Sequence, residues 1–156
     1  MSTRGRYGVR AMLDLAMAGA SVPVSLKDIA ARQDISMDYL EQLLRKLRKA
    51  SLVRSVRGPR GGFMLARTPR EITLWEIVAA LEQDVTPVRC VDEEILGGRP
   101  RKKCERLSGC ATHVVWLGLA RQTKGYLESK TLQDVLELAR RMCDEAEPGR
   151  MVMFHI

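Results

Sequence analysis

Residues 36–66 change periodicity once, and that change restricts the fold more than any other feature of the chain. Leu40, Leu43, Leu44 and Leu47 recur at helical spacing and fall in one stripe. Leu52-Val53-Arg54-Ser55-Val56 then alternates as a half-buried strand does. A basic, glycine-rich turn follows, Arg57-Gly58-Pro59-Arg60-Gly61-Gly62, and Phe63-Met64-Leu65-Ala66 returns, so the pair reads as a β-hairpin. Upstream, Leu26, Ile29 and Ala30 mark a helix, and Asp34-Ile35 form a tight connection into the helix that opens at Ser36. A helix-turn-helix running directly into such a hairpin is a winged helix.

Helix starts are written just as locally. Ser25-x-x-Asp28, Thr73-x-x-Glu76 and Thr131-x-x-Asp134 each place a hydroxyl three residues before a carboxylate, and Ser36 with Asp38 gives a looser cap. The implied helices run roughly over 5–20, 26–33, 36–50, 73–82, 110–128 and 131–146, with Pro148 and Gly149 closing the last. The fold class is therefore mainly α with a small β-hairpin wing (α+β), a winged helix-turn-helix followed by a long C-terminal helix. The expected division is 1–82 for the winged helix-turn-helix domain, 83–109 for a cysteine-containing loop, 110–147 for dimerisation helices and 148–156 for a C-terminal tail. There is no internal repeat.

Charge separates the two halves. Residues 1–70 carry 14 Lys/Arg against 5 Asp/Glu, net +9, whereas the rest carry 12 against 14, net −2. A basic half of this kind suits a phosphate backbone. Aromatic residues are only 4% of the chain, too few for single-strand binding by base stacking. With 46% hydrophobic and 29% charged residues, the composition is that of a globular rather than a disordered protein. No apolar run approaches the ~20 residues of a membrane span, and Met1-Ser2-Thr3-Arg4-Gly5-Arg6 lacks the apolar core of a secretory signal. The expected compartment is the cytoplasm, where clustered thiols point to metal or redox chemistry rather than disulfides.

The helix from Ser36 turns its leucines inward and presents Asp38, Gln42, Arg45 and Lys49 on the opposite face, with Lys46 beside them. Gln can read adenine, Arg can read guanine, and Lys steadies phosphates. Arg57 and Arg60 on the wing suit minor-groove or phosphate contacts, and the glycines allow close backbone approach. A nucleotide-phosphate loop is the weaker reading, because no Lys-Ser/Thr follows the glycines.

Residues 90–113 gather Cys90, Cys104, Cys110 and His113. Cys110 falls at a helix start, where unpaired N–H groups favour a thiolate, and His113 lies one turn on. Arg89, Arg99, Arg101, Lys102 and Lys103 add positive charge nearby. Iron–sulfur ligation suits this set, and zinc is its rival, although zinc sites usually show C-x2-4-C pairs and none occurs here. Metal-free thiols also remain open. An enzyme using Cys110 with His113 lacks an orienting third residue, so the chain reads as no enzyme. Cys143 shares a stripe with Leu132, Val135, Leu136, Ala139 and Met142 and reads as packing, His155 as a solvated terminal residue and Trp75 as core. Around Trp116, Val114, Val115, Leu117 and Leu119 make the helix apolar nearly all round, so it wants a partner, which a symmetric dimer supplies.

Three segments in order carry a family likeness: Gly5-Arg6-Tyr7-Gly8-Val9-Arg10-Ala11-Met12-Leu13-Asp14, Ile35-Ser36-Met37-Asp38-Tyr39-Leu40-Glu41-Gln42-Leu43, and Ser55-Val56-Arg57-Gly58-Pro59-Arg60-Gly61-Gly62-Phe63. With them the chain resembles the Rrf-two family of bacterial transcription regulators over roughly residues 3–140, and within it the iron–sulfur cluster (IscR-like) branch. The resemblance implies a homodimer joined through the long C-terminal helix and bound to a partly palindromic double-stranded operator. It implies a cluster on Cys90, Cys104, Cys110 and His113, with a two-iron two-sulfur form ahead of a four-iron four-sulfur form. It matches Glu41 and Gln42 to recognition-helix residues, and the expected DNA contacts are Ser36, Asp38, Tyr39, Glu41, Gln42, Arg45 and Lys49 on the helix and Arg57, Gly58, Pro59, Arg60 and Gly61 on the wing. Glu41 is a candidate discriminator between sequences. Cluster-assembly machinery and RNA polymerase are further partners it leaves open, as it does a cluster-free regulator of the CymR type controlled by a partner enzyme of cysteine metabolism. One departure stands out. Cys104 and Cys110 keep the family's close spacing, whereas thirteen residues separate Cys90 from Cys104 and read as a loop insertion over 91–103. Such a loop can still close, because doubling its length costs only about 0.6 kcal/mol.

Overall fold

The computed structural model describes residues 2–19, 21–82, 85–97, 104 and 109–145. Its helices are α1 (Thr3–Ala18), α2 (Leu26–Gln33), α3 (Met37–Lys49), α4 (Leu74–Leu81), α5 (Asp92–Leu96), α6 (Ala111–Glu128) and α7 (Leu132–Glu145). Strands β1 (Val53–Val56) and β2 (Gly62–Leu65) form the wing, and single 3-10 turns cover Pro69–Glu71 and Arg89–Val91. No described helix is long and apolar enough to cross a membrane.

Each helix start expected from a capping hydroxyl is made by that hydroxyl, although at Ser36 without the Asp38 carboxylate. The Ser25 hydroxyl accepts from the Asp28 N–H, and the Ser36 hydroxyl accepts from the Tyr39 N–H. Thr73 with Glu76, and Thr131 with Asp134, exchange hydrogen bonds in both directions. Helix α1 opens earlier than its pattern suggests. Ser2 caps it, and Glu82, from the end of α4, accepts from the Ser2 N–H at 2.8 Å, the Ser2 hydroxyl at 2.9 Å and the Gly5 N–H at 3.2 Å.

Asp34, in the left-handed conformation, ends α2 and turns the chain into α3. Ser51, also at positive φ, turns α3 into the wing, where Val53 pairs with Leu65 and Val56 with Gly62. Phe63 extends the hairpin by exchanging two backbone hydrogen bonds with Val24, just before α2. The leucine stripe of α3 then meets α1, α2 and α4. Met12, Ile29, Leu40, Leu44, Leu47, Ile77 and Leu81 are all fully buried there.

The C-terminal helices divide differently from their sequence neighbourhood. Helix α7 returns to the winged domain, placing Leu132, Leu136 and Ala139 in the same core. Its entry is fixed by the Leu74 N–H donating to the Lys130 carbonyl and the Leu132 N–H donating to the Ile72 carbonyl. Cys143 is half-buried on α7 and Met142 is exposed. Helix α6, by contrast, leaves Val114 70%, Val115 66% and Tyr126 63% exposed. The 91–103 insertion is not loop throughout. Val91 closes a 3-10 turn and α5 follows at once, burying Val91 and Ile95 against Ala120 of α6, with Trp75 and Leu117 around them. Periodicity misses α5 because five residues are too few to show a helical stripe. Residues 98–103, and with them Arg99, Arg101, Lys102 and Lys103, lie outside the described residues, as do Pro148, Gly149 and His155.

Candidate nucleic-acid interface and cysteine site

The outer face of α3 is assembled as its sequence implies. Ser36, Asp38, Glu41, Gln42, Arg45 and Lys49 are all exposed. Glu41 and Arg45 approach to 3.5 Å one turn apart. An exposed pair of this kind contributes only about 0.3–0.5 kcal/mol, so it leaves Arg45 free to exchange the carboxylate for a base edge. Two side chains differ from expectation. Lys46 turns away from the face and donates to the Leu81 carbonyl at 3.2 Å, satisfying the end of α4. Tyr39 leans edge-on against Tyr7, with ring centroids 6.0 Å apart, and its hydroxyl is buried without a partner among the described residues. Arg48 is exposed beside Arg45 and joins the basic face, although its position at the edge of the helical stripe hid it.

A polar lock joins α1 to α2, the helix that leads into α3. Asp14, only 7% exposed on α1, accepts from both nitrogens of the Arg32 fork and from the Gln33 amide of α2. The Asp14 hydrogen bond raises the Arg32 pKa. Arg10 completes the lock by donating to the Gln33 side chain and carbonyl. Bidentate pairs of this geometry fix orientation as well as distance, so α2 cannot rotate on α1.

On the wing, Arg57, Gly58, Pro59 and Arg60 are exposed and Gly61 is half-buried. Gly58 has φ +119°, a conformation that suits glycine, and open space beyond it. Gly61 closes the turn by donating to the Gly58 carbonyl, and a side chain there would meet the Val56 carbonyl at 2.3 Å. Gly62 lies as tightly against Val24. Two of these glycines therefore serve the hairpin itself, and Gly58 is the one left open to solvent.

The cysteine site lies where the chain leaves the winged domain. Cys110 is the residue at the N-terminus of α6, and the Thr112 hydroxyl sits 3.1 Å from its sulfur. That side chain first, and the backbone N–H of His113 next, hold the Cys110 thiol below the ordinary range. His113 Nε2 lies 3.3 Å from Glu94 Oε1 of α5, and Arg121 donates to the other Glu94 oxygen at 3.2 Å. His113 Nδ1 is buried and has no hydrogen-bond partner among the described residues. Cys90 is half-buried in the Arg89–Val91 turn, packed on the Val91 cluster, and Cys104 is exposed. The donor chemistry fits an iron–sulfur cluster, with a thiol biased toward thiolate and a ring nitrogen without a partner. The four donors are not drawn together, since no three His, Cys, Asp or Glu side chains converge among the described residues.

Comparison with known proteins gives this geometry a lineage. The family model described as Rrf2, iron-dependent transcriptional regulator, matches residues 1–138. The HTH-type transcriptional regulator IscR of Cronobacter sakazakii is 40% identical over 152 residues, covering 94% of this chain and 89% of its own. The solved structure of T. potens IscR superposes with TM-score 0.71 at 39% identity, covering 99% of this chain and 96% of that one. CymR, the global cysteine regulator of B. subtilis, superposes with TM-score 0.69 at 36% identity over 88% of this chain and 96% of that one. These relatives are transcription regulators rather than enzymes, and with a winged helix matched along its whole length the chain belongs to the Rrf2 family of transcriptional regulators.

Proposed function

We propose that this chain is a homodimeric regulator whose grip on a double-stranded operator is set by an iron–sulfur cluster held by Cys90, Cys104, Cys110 and His113. The observation that carries the reading is the juxtaposition at the start of α6. The thiolate-prone Cys110 and the half-free His113 stand at the root of the helix whose apolar face lies open. A bound cluster would supply an anionic, redox-sensitive link between the cysteine loop and α6, two-iron two-sulfur before four-iron four-sulfur.

The chain's own residues do the rest. A second copy covers Val114, Val115, Leu119 and Tyr126, so the angle between two α6 helices sets the distance between two α3 helices. Those must enter successive major grooves about 34 Å apart, and a small rotation spoils both contacts together. Gln42 and Arg45 read base edges, Lys49 holds phosphate, and Arg57 and Arg60 reach the minor groove from the wing. Glu41, paired with Arg45, either accepts from a cytosine or repels the backbone, and so discriminates between operators.

The likeness to CymR favours one second reading, a cluster-free regulator whose signal comes through a partner enzyme of cysteine metabolism. Anaerobic purification, with absorption and Mössbauer spectra of the wild type and of each cysteine variant, separates the two. The cluster reading expects a coloured dimer whose operator affinity changes by about 1–3 kcal/mol when the cluster is removed. Equal binding by loaded and cluster-free dimers at every operator tested refutes it. A colourless protein with full activity in the triple Cys→Ala variant establishes the alternative.

A further inference from the structure

The insertion between Cys90 and Cys104 does more than lengthen a loop. Its first half folds as α5 and is fastened to α6 by unlike contacts. Val91 and Ile95 are buried against Ala120, and Lys124 donates to the Ile95 carbonyl at 2.8 Å while its charge lies 5.6 Å above the Trp75 ring. Glu94 projects from this fixed helix with one oxygen toward His113 and the other toward Arg121. Both partners stand on α6, two turns apart, so the carboxylate is held at both ends.

The contact with Glu94 favours one tautomer of the ring. An ionised carboxylate only accepts hydrogen bonds, so Nε2 is the nitrogen that donates. A neutral imidazole has a single N–H, and Nδ1 is left with a lone pair, buried and without a partner among the described residues. Leaving a buried polar atom unsatisfied costs about 1–3 kcal/mol, and a metal ion is one partner that accepts a lone pair. We propose that Glu94 is a positioning residue that holds His113 through Nε2 and so presents Nδ1 as the ligating nitrogen. The proposal rests on the cluster reading above. Ligation through Nδ1 would displace no proton, because its lone pair is free and the Nε2 proton would stay shared with Glu94. The carboxylate behind the ring raises its basicity and restricts its rotation, as carboxylates paired with metal-bound histidines do.

The test uses the full chain with histidine labelled by nitrogen-15 at either ring position. In the metal-free, anaerobic wild type, the His113 resonances should report the Nε2–H tautomer. That tautomer should persist in Glu94→Gln, whose amide oxygen still accepts, and should become mixed in Glu94→Ala. After reconstitution with ferric iron and sulfide and one-electron reduction, pulsed electron paramagnetic resonance should show coupling to the Nδ1 label and not to Nε2. Release of iron to a chelator should be about 10–100-fold faster in Glu94→Ala than in the wild type, with Glu94→Gln between them. An Nδ1–H tautomer or coupling through Nε2 overturns the assignment while leaving the cluster reading intact, and a loaded cluster with no nitrogen coupling overturns it and also removes His113 from the ligand set. Failure of the wild type to take up iron overturns both. Circular dichroism checks that Glu94→Ala is folded, and the wild-type labels decide the question even where it is not.

Discussion

Replacing Gly62 with alanine would place a methyl carbon 2.2 Å from the Val24 carbonyl oxygen and 2.5 Å from the Val24 carbonyl carbon. Ordinary contacts between carbons lie near 3.5–4.0 Å, so the strand must retreat by roughly 1 Å. The three nearest atoms are all backbone, of Val24 and Ser25, so no side chain can turn aside to absorb the movement. Retreat pulls Phe63 from Val24 and breaks the pair of hydrogen bonds at 2.9 and 2.8 Å that ties the wing to the entrance of α2. At about 1 kcal/mol each those bonds account for about 2 kcal/mol, and overpacking adds about 1–3 kcal/mol. A loss of about 3–5 kcal/mol is a large part of the ~5–15 kcal/mol that holds a domain together. At about 2–4 °C per kcal/mol for a chain of this size, the melting temperature should fall by roughly 10 °C in scanning calorimetry. The control is Gly125→Ala on α6, where nothing lies within 4 Å of the added carbon. Operator affinity should fall in Gly62→Ala as well, because Arg57 and Arg60 move with the hairpin. A Gly62→Ala protein that melts within about 2 °C of the wild type would refute the packing argument.

Glu82→Ala removes the acceptor shared by Ser2 and Gly5 and should cost about 0.5–2 kcal/mol in urea unfolding, as loss of a helix cap does, with Glu82→Gln costing less. Arg45→Ala should cost about 1–3 kcal/mol against the preferred operator and relax the preference at one base pair. In competition assays, Arg57→Ala and Arg60→Ala should instead weaken all duplexes alike and reduce the slope of log affinity against log salt by about 0.9 each. For Glu76, burial acts to raise the pKa, but the Thr73 N–H and the Arg67 guanidinium outweigh it and hold the group below its usual 4.5. Its stabilising effect is therefore present above pH ~4.5 and lost as pH falls through the folded value, so Glu76→Gln should flatten the acid limb of the stability curve measured by urea titration.

Much of the winged domain is legible without coordinates because its signals act within a few residues. A hydroxyl cap reaches its third N–H, a leucine stripe repeats every turn, and a basic Gly-rich turn sits between alternating strands. The exposed polar face of α3 follows from the same stripe, and so does the open apolar face of α6, because what is not buried on a helix must point outward. Cys110 at a helix start is equally local, and its environment bears this out.

Lys46 shows where such reading stops. Its place in the sequence puts it beside the basic face, yet the end of α4, thirty-five residues away, captures it. Glu82 reaches eighty residues back to the start of α1 by the same kind of long-range closure. Sequence by itself determined the helix starts, the hairpin, the split of charge and the candidate donors, since each is decided by neighbours along the chain. Only the tertiary structure decided that α7 joins the winged core while α6 stays open, and that an apparent insertion folds back to put Glu94 on His113. Those outcomes depend on which faces meet across long loops, and that choice is made by burial and hydrogen-bond satisfaction over the whole fold.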